Sequence, residues 1–200
     1  PDVPLPRREL AEHIRFASFN TLGKTTDATL RLWARVLDRV AGSRLVLKAT
    51  GLTDPQVHDA FIARVRNAGI DPDRLTLLGH TPKAEHLLSY AQADICLDPM
   101  PFGGATTTCD ALFMGTPVVT LEGDRRVARA SASILRTIGH PEWIAATEEQ
   151  YVAIASGLAA DRPGLASIHA SLRDRVVASP LCDGAGYTSA LEDLYRMMLG

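Results

Sequence analysis

Residues 94–110 read DICLDPMPFGGATTTCD. Asp94–Leu97 is a short apolar run with strand character, closed by Asp98-Pro99. From Thr107 to Met114 the spacing turns helical, and Gly115 stops it. Gly103-Gly104 in the connecting loop permits positive φ and close approach of backbone to a ligand. A helix beginning at Thr106–Thr108 offers unbonded N–H groups and a partial positive charge, which suits phosphate. Threonine hydroxyls add donors, and Asp110, one turn in, is placed for a ribose hydroxyl. The same residues also read as a glycine loop with a Ser/Thr N-cap. Neither GxGxxG nor GxxxxGK[ST] occurs, which disfavours a dinucleotide fingerprint and a P-loop.

The same strand–loop–helix unit recurs on both sides. Ile14–Phe19 is a strand leading into Asn20–Lys24, and Thr26-Asp27 caps a helix with apolar positions Leu30, Trp33, Val36, Leu37 and Val40. Arg44–Lys48 is a strand, and Asp54-Pro55 opens a helix reaching about Ala68 before Gly69. Leu75–Leu78 is a strand and Lys83–Ala91 a helix. Pro117–Leu121 is a strand, Arg126–Ile138 a helix, and Trp143–Ala145 a short strand. Residues 148–160, 163–177 and 186–199 form a helical tail, amphipathic and in need of a packing surface. Alternation of this kind implies parallel βαβ units and a Rossmann-like, doubly wound sheet covered on both faces.

In such sheets ligands sit beyond the carboxyl ends of the strands. The loops there are 20–25, 49–54, 79–83, 98–107 and 121–126. Lys24 could neutralise a diphosphate, or be a solvated lysine. Lys83 and His86 share a helix face three residues apart and could meet a nucleotide, or His86 could be a core histidine. Asp98 could serve catalysis, although an acid before a proline turn is commonly structural. His13, His58, His140 and His169 have no ligand partners at helical spacing, and most are expected at the surface. Asp71-Pro72-Asp73 has DxD spacing but starts a turn beside Arg74. No metal cluster or Ser–His–Asp signature is evident.

The bulk numbers agree with a soluble globular domain. Of 200 residues, 46% are hydrophobic and 22% charged, with a net charge of −2. That balance gives no reason to expect nucleic acid or an anionic membrane as partner, and Arg125, Arg126 and Arg129 read as a solvated helix face. No apolar run approaches the ~20 residues a membrane span needs. Three cysteines without a CxxC pair, and with Cys96 inside an apolar strand, suggest reduced thiols and a cytoplasmic location. Residues 1–13 read as a linker or entry segment, 14–147 as the Rossmann-like domain, and 148–200 as helices that pack on it or on another surface.

FASFNTLGK, LGHTPKAEHL, ADICLDPMPFGGATTTCDALFMGTPVVTL and SPLCDGAGYTSALEDLY occur in this order over nearly the whole chain. Together they resemble the C-terminal catalytic lobe of the O-linked N-acetylglucosamine transferase family, in its bacterial, tetratricopeptide-containing form. The resemblance implies a GT-B lobe that binds a UDP-sugar, with transfer to Ser or Thr of a polypeptide completed by an N-terminal lobe and repeats. It implies Lys24 on the diphosphate and stabilising the leaving group. Thr81, Lys83 and His86 would lie on uracil and ribose, Gly104, Thr106 and Thr107 on phosphate, and Asp110 on ribose. Thr21 is a further donor-site position. Thr21, Ser89 and Ala105 stand where animal members carry glutamine, arginine and histidine. The resemblance implies no cofactor and no metal, and a fragment inactive by itself. Competing readings are glucose transfer to Asn, a nucleotide-sugar epimerase, and a degenerate scaffold domain.

Overall fold

A computed structural model describes residues 3–6 and 12–199. Its sheet is built from β1 (Arg15–Ser18), β2 (Arg44–Lys48), β3 (Leu75–Leu78), β4 (Ile95–Leu97), β5 (Val118–Leu121) and β6 (Ile144–Ala145). All pairings are parallel, in the order β3-β2-β1-β4-β5-β6. Period-2 alternation fixes the two cores. Phe16, Leu45, Leu47, Ile95, Leu97 and Val119 face one layer, whereas Ala17, Val46, Cys96 and Val118 face the other. Sheets covered on both faces read as near-continuous apolar runs for this reason.

The first two helices start where the sequence provides a cap. Thr26 accepts from Thr29 N at the start of α1 (Asp27–Arg39). Asp54 accepts from Gln56 N and Val57 N, with Pro55 in the first turn of α2 (Pro55–Asn67). Both are caps that satisfy amides lacking an intrahelical acceptor. Between α2 and β3 the Asp71–Arg74 segment is a turn: Asp71 accepts from Asp73 N, while Arg74 donates to Leu37 O, Val40 O and Ser43 O. The DxD spacing is thus used to cap a turn and to close the end of α1.

Three helical spans differ from the sequence reading. The helix expected over 83–91 is α3 (Lys83–Leu88), then a 3-10 turn at Ser89–Gln92. The one expected over 126–138 is a 3-10 turn at Arg126–Ala128, then α5 (Ala130–Thr137). The last helix starts earlier than 186. Between the two revised spans lies α4 (Thr106–Phe113), ended by Gly115 at φ 75°. The tail comprises α6 (Glu148–Ala160), α7 (Arg162–Val177) and α8 (Gly184–Leu199). Helices α6 and α7 bury Tyr151, Ala155, Leu165 and Leu172, but α8 buries none of its side chains.

Of the histidines expected at the surface, His140 and His169 are buried. His140 stacks on Trp143 with ring centroids 3.8 Å apart. His169 Nε2 lies 2.8 Å from Asp94 O. Asp94 itself, fully buried, holds Arg15 through a 2.7 Å contact to Nη2 and accepts from Arg15 N at 2.8 Å. Of the entry segment, Val3 O accepts from Arg173 at 2.7 Å; residues 1–2 and 7–11 lie outside the described residues. Cys96 is buried and is not part of a disulfide.

Candidate functional site

The chain reverses its direction of growth across the sheet between β1 and β4. Loops there diverge and leave a crevice at the strands' carboxyl ends. Lys24, in the turn after β1, donates to Gly103 O at 2.8 Å and lies 4.2 Å from the centroid of the Phe102 ring. The two loops that flank the crevice are therefore joined through this ammonium.

The loop after β4 is held from beneath. Fully buried Asp98 accepts from Gly104 N at 2.7 Å and from Thr120 Oγ1 at 2.8 Å. Desolvation raises its pKa, while the nearby Ser131 hydroxyl and the hydrogen bonds from Gly104 and Thr120 oppose that rise. Ser131 Oγ donates to Gly104 O at 2.9 Å. Of the two readings left open for Asp98, this geometry carries the structural one. Neither Gly103 nor Gly104 has positive φ, contrary to one of the uses expected of them. Their need is for space: a Cβ on Gly103 would sit 2.5 Å from Asp98 Oδ2, and one on Gly104 2.6 Å from Thr107 Oγ1.

No side chain caps α4 at Ala105. The first-turn amides of Thr106 to Thr108 therefore lack the Ser/Thr cap that the alternative reading required, and a helix start of this kind presents positive charge to an anion. Thr106 is exposed. Thr107 Oγ1 donates to Asn20 Oδ1 at 3.0 Å, and Tyr90 OH donates to Thr107 O at 3.1 Å.

One turn into α4, Asp110 meets α3. Lys83 Nζ lies 2.6 Å from Asp110 Oδ2 and His86 Nε2 3.8 Å from the same oxygen. Burial lowers the His86 pKa, partly offset by the Asp110 charge. Its ring meets Phe19 and Tyr90 edge-on at 5.8 and 5.7 Å. Thr81 Oγ1 accepts from Lys48 Nζ at 2.8 Å. Thr21, exposed, lines a small pocket with Asn20, Lys48, Thr50, His80 and His86. The nine residues that the resemblance assigns to the donor lie in the loops after β1, β3 and β4 and in the helices α3 and α4. Lys24 joins the 103–104 loop, Thr107 joins the β1 loop through Asn20, and Lys83 and His86 join Asp110. Asn20 and Lys48 were not singled out. Lys48 is the signal that was available: a charge ending an apolar strand on the ligand side of the sheet.

A family model described as Glycosyl transferase family 41 matches residues 7–191. The chain belongs to glycosyl transferase family 41. Among family relatives, the probable UDP-N-acetylglucosamine–peptide N-acetylglucosaminyltransferase SPINDLY of Petunia hybrida is 39% identical over 190 residues, covering 92% of this chain and 20% of the relative. The UDP-N-acetylglucosamine–peptide N-acetylglucosaminyltransferase of Caenorhabditis elegans is 33% identical over 186 residues, covering 92% and 16%. A solved structure of a mutant Thermobaculum terrenum O-GlcNAc transferase superposes with TM-score 0.90 at 38% identity, covering 99% of this chain and 38% of that one. The chain thus spans about a fifth of these curated relatives. Its six-stranded parallel sheet with a helical tail is the architecture of a GT-B glycosyltransferase lobe. Among the described residues, no helix is long and apolar enough to cross a membrane.

Proposed function

We propose that this chain is the donor-binding lobe of a family 41 enzyme that moves N-acetylglucosamine, or a related sugar, from UDP to a Ser or Thr hydroxyl of a polypeptide. The observation that carries this is the Lys24 ammonium bonded across the crevice to the glycine loop that opens α4. As the C1–O bond breaks, UDP leaves with the electron pair and gains charge on its β-phosphate. The acceptor oxygen bonds C1 and releases its proton to a base supplied outside this chain. Lys24 and the amides of Thr106–Thr107 stabilise the leaving group, Asp110 takes a ribose hydroxyl, and Thr21, Thr81, Lys83 and His86 flank the nucleoside. Positioned donors of this sort supply roughly 2.7–4 kcal/mol each.

The remaining parts of the reading follow from it. Fixed cationic and amide donors serve the leaving group without a metal. The acceptor site, an N-terminal lobe and tetratricopeptide repeats belong to the longer chain. The family resemblance supports a bacterial, cytoplasmic enzyme, and three cysteines outside any disulfide agree with that location. The relatives' names favour peptide N-acetylglucosaminyl transfer over epimerisation, Asn glucosylation or a scaffold role. In the full-length protein, Lys24→Met is expected to lower kcat by about 10²–10³. Unchanged turnover would remove Lys24 from the reaction. Transfer is expected to persist in excess EDTA; loss that magnesium or manganese restores would overturn metal independence.

A further inference from the structure

Lys48 ends β2 and is only 4% exposed. Charges so covered are costly unless paired. Among the described residues no carboxylate lies within 4 Å of its ammonium; the negative charge acting on it is Glu85, at longer range. Its one hydrogen bond goes to Thr81 Oγ1. An ammonium has three donors and no acceptor, so two remain for other oxygens. The pocket beside it is formed by Asn20, Thr21, Thr50, His80 and His86.

Direction along the crevice says what those donors face. The phosphate end is marked by Lys24 and the start of α4. Asp110 lies one turn deeper, for ribose, and His86 beyond it on α3. Thr81 follows β3 and Lys48 ends β2, on the side of β1 away from β4, and Lys48 lines the same pocket as His86. We propose that Lys48 reads the nucleobase, donating to the carbonyl at pyrimidine C4 or purine C6, where cytosine and adenine carry an amine, and so selecting keto bases over amino bases. The proposal rests on the donor-binding reading above. A donor-only group rewards a carbonyl oxygen and is repelled by an exocyclic amine, so selection follows from its chemistry.

The test titrates the full-length protein calorimetrically with UDP, GDP, CDP and ADP. In the wild type, UDP or GDP is expected to bind about tenfold or more tighter than its amino counterpart. Lys48→Met should bring that ratio to within about threefold by weakening the keto nucleotide while CDP or ADP binding persists. Lys48→Arg, which keeps donors at the same place, should retain part of the preference. Lys24→Met should weaken all four alike. A ratio unchanged in Lys48→Met, an equal loss for every nucleotide, or a wild type without keto preference would each overturn the role of Lys48 alone. A wild type that binds none of the four would overturn the donor site itself, and Lys48 with it.

Discussion

A single methyl group tests the glycine loop. A Cβ at Gly104 would stand 2.6 Å from both Thr107 Oγ1 and Thr108 Oγ1 and 3.1 Å from Asp98 Oδ1. Gly104→Ala is therefore expected to cost about 1–3 kcal/mol and to weaken UDP binding; wild-type melting with wild-type affinity would refute the tight fit. Asp98 makes a pH-dependent prediction. Burial raises its folded pKa from the ordinary carboxylate value. The native state thus holds this proton where the unfolded chain has released it. The associated stability is present at low pH and lost as pH rises through the folded pKa. Asn at this position does not titrate. The wild-type unfolding free energy minus that of Asp98→Asn should fall across a window opening at about pH 4. Urea melts from pH 4 to 7 measure it, and a flat difference would contradict the buried, desolvated carboxyl.

Helix α6 is tied to the site by one hydroxyl. Trp33 Nε1 donates to Tyr151 OH at 3.2 Å, and Tyr151 OH donates to Asp98 O at 3.0 Å. Tyr151→Phe leaves a buried N–H and a buried carbonyl without this partner, a loss of about 1–3 kcal/mol. Denaturant unfolding reads it, and a change below about 0.5 kcal/mol would mean that water or a neighbour replaces the hydroxyl. This tie was not legible in the sequence, because its members lie 118 and 53 positions apart. What local chemistry specifies was legible: the bounds of β2 and β3, the caps at Thr26 and Asp54, and the helix stops at Gly69, Gly115 and Gly139. The 3-10 turns after α3 and before α5 were not, since apolar spacing does not separate three residues per turn from 3.6 over one turn. At the site, the ligand-side loops followed from strand order. Contacts such as Lys24 to Gly103, 79 positions apart, required the fold.

At the scale of the whole molecule, α8 contributes least to the core. Tyr187, Leu194, Tyr195, Met197, Met198 and Leu199 are all more than half exposed. Removing residues 184–200 should leave the unfolding free energy within about 1 kcal/mol of the intact chain. A loss above about 3 kcal/mol in denaturant melts would show that α8 stabilises the lobe. The strand order has a consequence in time. β1 sits mid-sheet yet is made first, and the clamp between Arg15 and Asp94 spans 79 positions. At roughly 5–20 residues per second, a ribosome needs about 4–16 s between those two residues. Throughout that interval one flank of the nascent strand has no neighbour. Arrival of Asp94 and the strand behind it closes that flank, and the crevice waits on the loop after β4, which is made next.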